Sequence, residues 1–409
     1  MADTGRLQVQ LLSSRSNGPV EGAEVKITVT GQPDQVLEVL QTDSSGQTET
    51  IDLTSPPLEF SLEPGEGQPY SEYDIQINAR DYESVTIMGV QILSGEKAIQ
   101  SERLYPLQNP EDSQVLDIGP HTLFGDYPPK IEESETKDIL ASGQVVLSRV
   151  VVPEYVIVHD GAVGDDTADN YYIQYRDYIK NVASCEIYAT WPEAALRANI
   201  LAIMSFTLNR VYTEWYRSKG YDYTITSSTA YDQKWIRGKS TYSSINRIVD
   251  EIFDSYLARP DIAQPILTQF CDGRRVMCPA GMSQWGSKDL ADEGLTASQI
   301  LRYYYGDDIY INTAEYISGV PSSFPGYLLT IGSSGAKVRQ LQQQLNAIAG
   351  AYPRIPRVRV DGIYGQETAR AVRAFQEIFD LPVTGDTGFS TWYRISQIYV
   401  AVTRIAELT

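Results

Sequence analysis

Only two histidines, His121 and His159, and three cysteines, Cys185, Cys271 and Cys278, are available for metal or nucleophile chemistry in 409 residues. Zinc peptidases, zinc amidases and cysteine–histidine hydrolases each consume one or more histidines, so this scarcity weighs against all of them. Cys185 stands beside Glu186, but only His159 is left to serve as its base and nothing in the spacing brings the two together. A buried structural cysteine is the better reading. Two blocks hold the remaining chemistry: Ser184-Cys185-Glu186-Ile187 ahead of Thr190-Trp191-Pro192-Glu193, and Gly281-Met282-Ser283-Gln284-Trp285-Gly286-Ser287-Lys288. A glutamate can donate and later retrieve a proton, while Ser283, Gln284 and, between the blocks, Gln233 can hydrogen-bond a polar substrate. For Ser283 and Gln284 the competing role is packing of a turn against the long helix.

These blocks, followed by Ile300-Leu301-Arg302-Tyr303-Tyr304-Tyr305, together resemble the SpoIID family of sporulation-related lytic transglycosylases over roughly residues 150 to 312. The resemblance implies that Glu186, just before the proline-led helix, is the catalytic acid, and it places Lys288 on a lysine of the family's second block. A protonated glutamate would give its proton to the glycosidic oxygen as an oxocarbenium-like centre forms. One carboxyl suffices in such a reaction, because the muramic C6 hydroxyl attacks the anomeric carbon and leaves a 1,6-anhydro end. Two positions depart from the family: its arginine in the long helix falls on Met204, and its histidine before the second block gives way to Cys278-Pro279-Ala280. Some relatives bind zinc here through a histidine and two cysteines. Cys271 and Cys278 offer two thiols without a histidine nearby, and the gap of six residues between them suits a disulfide or a loose clamp better than a zinc knuckle. No cofactor and no metal is expected, with Cys271 and Cys278 as the weak metal alternative.

The element that must position Glu186 is the helix that follows it. Thr190 is placed to cap, Pro192 suits a first turn and Glu193 completes a capping-box spacing. The helix is expected to run to near Gly220, with Leu196, Ile200, Ile203, Thr207 and Val211 on a core-facing stripe.

At the C-terminal end, Gly332-Ser333-Ser334-Gly335, Val338 to Asn346, Val360-Asp361-Gly362-Ile363-Tyr364-Gly365, Glu367 to Gln376, and Thr384-Gly385-Asp386-Thr387-Gly388 before Thr391-Trp392 read as helix, turn, helix, turn, helix. Ser334 is the expected first cap. This ordered set resembles the three-helix peptidoglycan-binding domain found on many wall hydrolases, across residues 327–409. Tyr364, Gln366 and Trp392 are its candidates for contact with sugar or peptide, core packing being the alternative for Trp392.

From Arg6 to Pro106, short β-prone runs alternate with turn clusters, which predicts a β-sandwich. PVEGAEVKI, TDSSGQT and YDIQINARDYESV resemble the transthyretin-like or carboxypeptidase-regulatory-like sandwiches, which implies a spacer or a surface for protein docking. The chain is therefore expected to be multidomain: an all-β sandwich over 1–106, a linker over 107–147, an α+β SpoIID-like domain over 148–315, a hinge over 316–326 and a small three-helix domain over 327–409.

A formal net charge of −20 excludes a nucleic-acid partner, whose phosphates demand a basic surface. The acid is concentrated early: residues 1 to 110 hold 17 Asp and Glu against 6 Lys and Arg, whereas residues 326 to 409 hold 6 against 9. A basic C-terminal domain suits an anionic wall polymer. No run approaches the roughly 20 apolar residues of a membrane span, and MADTGRLQVQLLSSRSNG shows no secretory signal. The expected function is glycan-strand cleavage at the cell wall, outside the cytoplasm, with peptidoglycan as partner. The alternatives are a non-catalytic wall-binding protein, or a wall-piercing component of a phage tail or contractile injection particle, which would account for the absent signal.

Overall fold

A computed structural model describes residues 3–109, 112–136, 147–278 and 280–404. Residues 137–146 of the expected linker, and Pro279 in the departure before the second block, lie outside the described residues.

The first part of the chain runs β1 (Asp3–Ser13), β2 (Glu24–Val29), β3 (Gln32–Gln41), β4 (Ile51–Ser55), a short helix α1 (Glu59–Leu62), β5 (Ser71–Asn78), β6 (Ser84–Ile92), β7 (Lys97–Leu104) and β8 (Ser113–Asp117). One sheet has the order β3-β2-β5-β6-β8, and the other contains β7-β1-β4. Alternate residues Leu7, Val9 and Leu11 of β1 and Ile75 and Ile77 of β5 point into the shared core, the period-2 pattern of a half-buried strand. β8 pairs with β6 from Ser84↔Ser113 to Met88↔Asp117, so the sandwich continues past the boundary expected at residue 106.

The central part comprises β9 (Val151–Val152), β10 (Tyr155–His159), β11 (Asn170–Gln174), α2 (Tyr175–Glu186), α3 (Glu193–Tyr212), β12 (Ile225–Thr226), β13 (Thr241–Tyr242), α4 (Ser243–Ile252), β14 (Ser255–Ala258), β15 (Phe270–Cys271), β16 (Met282–Ser283), α5 (Gln284–Asp292), α6 (Ala297–Tyr305), β17 (Tyr310–Thr313) and β18 (Tyr316–Ile317). α3 is buried on every side rather than along one stripe, because α2, α4, α5, α6 and β14 surround it; its apolar residues accordingly continue all round. Thr190 does not cap this helix. Pro192 occupies the cap position, while Thr190 Oγ1 bonds Ser61 Oγ at 2.9 Å and Trp191 Nε1 donates to Ser61 O at 2.9 Å, tying the helix start to the sandwich.

That seam is extensive. β13 joins the sandwich sheet as a neighbour of β7, Gln100 Nε2 donates to Gly238 O at 2.8 Å, and Tyr242 donates to Gln91 O at 3.1 Å. Lys239 enters the same seam and donates to Gln91 Oε1. Burial depresses its ammonium to about 8, against the opposing pull of Cys185 and Glu72. A lysine in an unfolded chain titrates near ~10.4, so between about pH 8 and 10.4 the unfolded state binds more protons and stability rises with pH. Below about pH 8 the cost of burying the charge is present in full. In Lys239→Met this contribution is gone: the stability of the natural protein minus that of the variant should climb across the window and stay flat below it. Chemical unfolding at a series of pH values checks this, and parallel curves would contradict it.

The last part holds α7 (Ala336–Ile348), α8 (Gln366–Ile378) and α9 (Phe389–Thr403). Gly335, not Ser334, sits at the first cap position, and Ser334 pairs with Ile363 instead. Two buried glutamines explain the repeated spacing in this segment. Gln342 Oε1 accepts from Gly362 N at 2.8 Å while its Nε2 reaches Asp361, Ile363 and Thr368; Gln376 Oε1 accepts from Gly385 N at 2.8 Å while its Nε2 reaches Thr384, Asp386 and Thr391. Each glutamine pins one glycine turn and the threonine of the following helix. Tyr364 and Trp392 are both wholly buried. Tyr364 donates to Gly385 O at 2.9 Å and Trp392 Nε1 to Ser322 O at 3.1 Å. The expectation that they contact ligand is corrected: at 0% exposure they hold turns against the core.

This helical unit is seated on both other parts. Lys97 pairs with Asp380 at 3.0 Å, Arg354 with Asp43 at 2.9 Å, and Arg176 donates to Tyr393 O at 3.1 Å. The expected hinge begins inside β18, which pairs with β9.

Candidate active site

α2 ends at Glu186, whose side chain is 4% exposed, and Ile187 turns into extended backbone beyond it. Tyr178, Ile179, Val182, Ala183 and Cys185 are wholly buried, so the register of the last turn is set by packing and the carboxyl has one outlet. That outlet is a cleft of about 140 Å³. Its walls come from four places: Thr122, Tyr127 and Lys130 of the segment expected to be a linker; Thr229; Cys271, Asp272 and Arg275 of β15 and the loop that follows it; and Gln284 at the start of α5.

The carboxyl is held at both oxygens. Lys234 N donates to Oε1 at 2.7 Å, Gln284 Nε2 lies 3.2 Å from Oε2, and Thr122 Oγ1 lies 3.3 Å from Oε2. Gln284 Nε2 also donates to the main-chain oxygen of Glu186 at 2.8 Å, and Thr122 Oγ1 lies 2.8 Å from Cys185 O.

The second block places Gln284. Met282 and Phe270 face each other in the β15–β16 pair, and Ser283 caps α5 by accepting from Gly286 N at 2.9 Å. Gly281 has φ +88°, and a Cβ there would lie 2.0 Å from Gln269 O; a Cβ on Gly286 would lie 2.1 Å from the Tyr304 hydroxyl. Gly281 therefore requires glycine, whereas a side chain at Gly286 would have to displace the Tyr304 ring. Trp285 packs against Trp191 with centroids 5.0 Å apart and planes inclined by 52°, which locks the block to the start of α3. Lys288 lies on α5 and pairs with Asp292 at 2.6 Å, and it is not among the residues lining the cleft. Gln233 is wholly buried and donates to Thr207 Oγ1 at 2.8 Å, so its expected contact with substrate is corrected to a core bond behind the site. Met204 is likewise wholly buried within α3.

The neighbouring loop is closed by a disulfide between Cys271 and Cys278. This corrects the weak metal alternative, since sulfurs bonded to each other have no thiolate to offer; no cluster of three or more metal-ligating side chains occurs among the described residues. Asp272 fastens the loop by accepting from the main-chain nitrogens of Arg274, Arg275 and Val276 at 2.9, 3.1 and 2.7 Å. Arg275 then reaches Phe124 O across the cleft and lies over the Phe124 ring. Chain-entropy arguments give the short disulfide loop about 2–3 kcal/mol of stabilisation. The double variant Cys271→Ser, Cys278→Ser should lose that amount in chemical unfolding and become indifferent to reductant; sensitivity retained in the variant would contradict the assignment.

Burial pushes the Cys185 thiol up to about 12, which leaves it protonated and without nucleophilic use. His121 is neutral for the same reason, held between Leu123 N and Ile187 O, and His159 bonds Asn170 and Ala162. Neither lines the cleft. Lys130 is a cation lining the cleft: it donates to Asp232 O and lies 5.0 Å from the centroid of Phe270. Burial lowers its pKa, while the charges of Glu186 and Asp232 oppose that shift. Thr122, Lys130 and the Lys234 amide carried no sequence signal, because the first two lie in a stretch without periodicity and the third is main chain.

Residues 165–255 match the family "Stage II sporulation protein" and residues 334–395 match "Putative peptidoglycan binding domain". No curated protein matches the chain. Among solved structures, the SleB N-terminal domain shares 34% identity, covering 19% of this chain and 99% of that one, with a TM-score of 0.17. The Bacillus anthracis TIE protein shares 12% over 26% of this chain and 17% of its own, TM-score 0.18. The Klebsiella pneumoniae 5-hydroxyisourate hydrolase shares 16% over 25% and 91%, TM-score 0.17. With α2 to α4 inside the first matched segment and α7 to α9 forming the second, the chain carries a SpoIID domain followed by a peptidoglycan-binding domain.

Proposed function

We propose that this cell-wall-associated protein cleaves the glycan strand of peptidoglycan as a lytic transglycosylase, with Glu186 as general acid and then base. The observation that carries the reading is the buried Glu186 carboxyl at the floor of the cleft, anchored at Oε1 by the Lys234 amide. In the first step the Glu186 proton passes to the glycosidic oxygen as the bond from that oxygen to the anomeric carbon breaks. The muramic C6 hydroxyl then attacks the anomeric carbon, its proton returns to the Glu186 carboxylate, and a 1,6-anhydro end results. Atoms balance without water, so a single carboxyl serves both steps. Lys130 supplies positive charge beside the carboxylate formed in between. The C-terminal unit, seated on the other two parts, keeps the cleft on its polymer.

The test is incubation of the purified protein with peptidoglycan and mass spectrometry of the released fragments. Fragments with 1,6-anhydromuramic ends are the expected result. Peptidoglycan that is bound but yields no such ends would replace this reading with that of a binding protein.

A further inference from the structure

Among the described protein groups that bond the Glu186 carboxyl, one is placed to accept the acid proton. The Lys234 main-chain N–H can only donate, and it holds Oε1 at 2.7 Å. The proton of the neutral carboxyl therefore belongs on Oε2. Two groups meet Oε2: Gln284 Nε2 at 3.2 Å and Thr122 Oγ1 at 3.3 Å. The orientation of the Gln284 amide is settled by its 2.8 Å bond to Glu186 O, a carbonyl that only accepts, so Nε2 is a donor and takes no proton from Oε2. Thr122 has one hydroxyl proton. Cys185 O, 2.8 Å away, is the nearer acceptor and claims it, which leaves a lone pair of Thr122 Oγ1 facing Oε2.

We infer that Thr122 is a positioning residue that accepts the hydrogen bond of protonated Glu186 at Oε2 and so holds the acid proton in place between turnovers. The inference rests on Glu186 being the acid. Thr122 lies outside the matched residues 165–255, on the segment that leaves the sandwich, so the sandwich side of the molecule completes the site.

Other titratable groups also face Glu186: Asp126, Tyr127 and Lys130 on the segment of Thr122, Tyr178 and Cys185 on α2, Asp232 and Lys234 beside the anchoring amide, and Asp272 and Arg275 on the disulfide loop. None changes when Thr122 is replaced, so a comparison of variants isolates the hydroxyl.

The experiment titrates the infrared band of the protonated Glu186 carboxyl, identified by subtracting Glu186→Gln, in the full-length protein without peptidoglycan. An acceptor stabilises the neutral form and a donor stabilises the charged form, so the sign of the shift separates the two roles. In Thr122→Val the midpoint should fall by about one pH unit, a tenfold loss of the protonated form at a given pH, and Thr122→Ser should restore it. Thr122→Ala gives the same reading should the valine variant fail to fold. A midpoint that rises, or stays in place, overturns the inference. Turnover of the natural protein is measured in parallel: absence of anhydro ends removes the proposed reaction, while the infrared titration still decides where the proton sits.

Discussion

Glu186→Gln should leave the protein folded and lower the release of 1,6-anhydro ends by about 10²–10⁴-fold, the contribution of a positioned general acid. Glutamine has nearly the shape of glutamate, and its amide oxygen can still accept from the Lys234 amide at the place of Oε1. What it lacks is a proton that can leave. The loss should therefore appear in turnover and not in retention on peptidoglycan, since the helical unit over 334–395 is untouched. Fragment release followed by mass spectrometry, with circular dichroism for the fold, separates these effects. A variant that releases anhydro ends at the natural rate would remove Glu186 from the chemistry.

The second large effect is expected at Arg210, deep under the site. Its guanidinium is wholly buried, bonds Asp232 Oδ1 through Nε at 2.7 Å, and reaches both oxygens of Glu133. Asp232 is also wholly buried, and its second oxygen accepts from Thr226 N, Thr226 Oγ1 and the Tyr216 hydroxyl at 2.9, 2.7 and 2.7 Å. Arg210→Met would strand the Asp232 charge in the interior, a loss of about 3–5 kcal/mol. Adding Asp232→Asn should recover part of that loss, because the amide needs no counter-charge. Chemical unfolding of the single and double variants measures both. Since Lys234, two residues beyond Asp232, supplies the amide that holds Glu186, the single variant should also lose turnover below its unfolding transition. A single variant as stable as the natural protein would show that Asp232 finds another partner.

The two effects differ in how far they were visible in advance. Glu186 is singled out by the family resemblance of the ordered blocks around it, in which Gly281 admits close backbone approach and Trp285 packs against Trp191. The helical unit was legible for the same reason, its two glutamines each bonding a glycine turn and a threonine within about two dozen residues. Arg210 carried no such sign, because its partners, Glu133 and Asp232, lie in different segments. Tyr364, Trp392 and Gln233 have side chains suited to sugar contact and were misplaced, because residue type does not tell burial.

Residue order alone thus determined the succession of three parts, the strand alternation of the first and the helix–turn–helix order of the last, while the carboxyl in the middle was singled out by family resemblance. The first three are matters of short-range pattern, where period and turn chemistry act within one or two elements. Only the tertiary structure decided that the stretch from Thr122 to Lys130 forms a wall of the cleft, that Cys271 and Cys278 bond each other, and that Thr122, Lys234 and Gln284 converge on Glu186. The contacts at Glu186 join positions 48 to 98 residues apart, and proximity over such spans comes from the packing of the sandwich against α2 and α3, which no local pattern encodes.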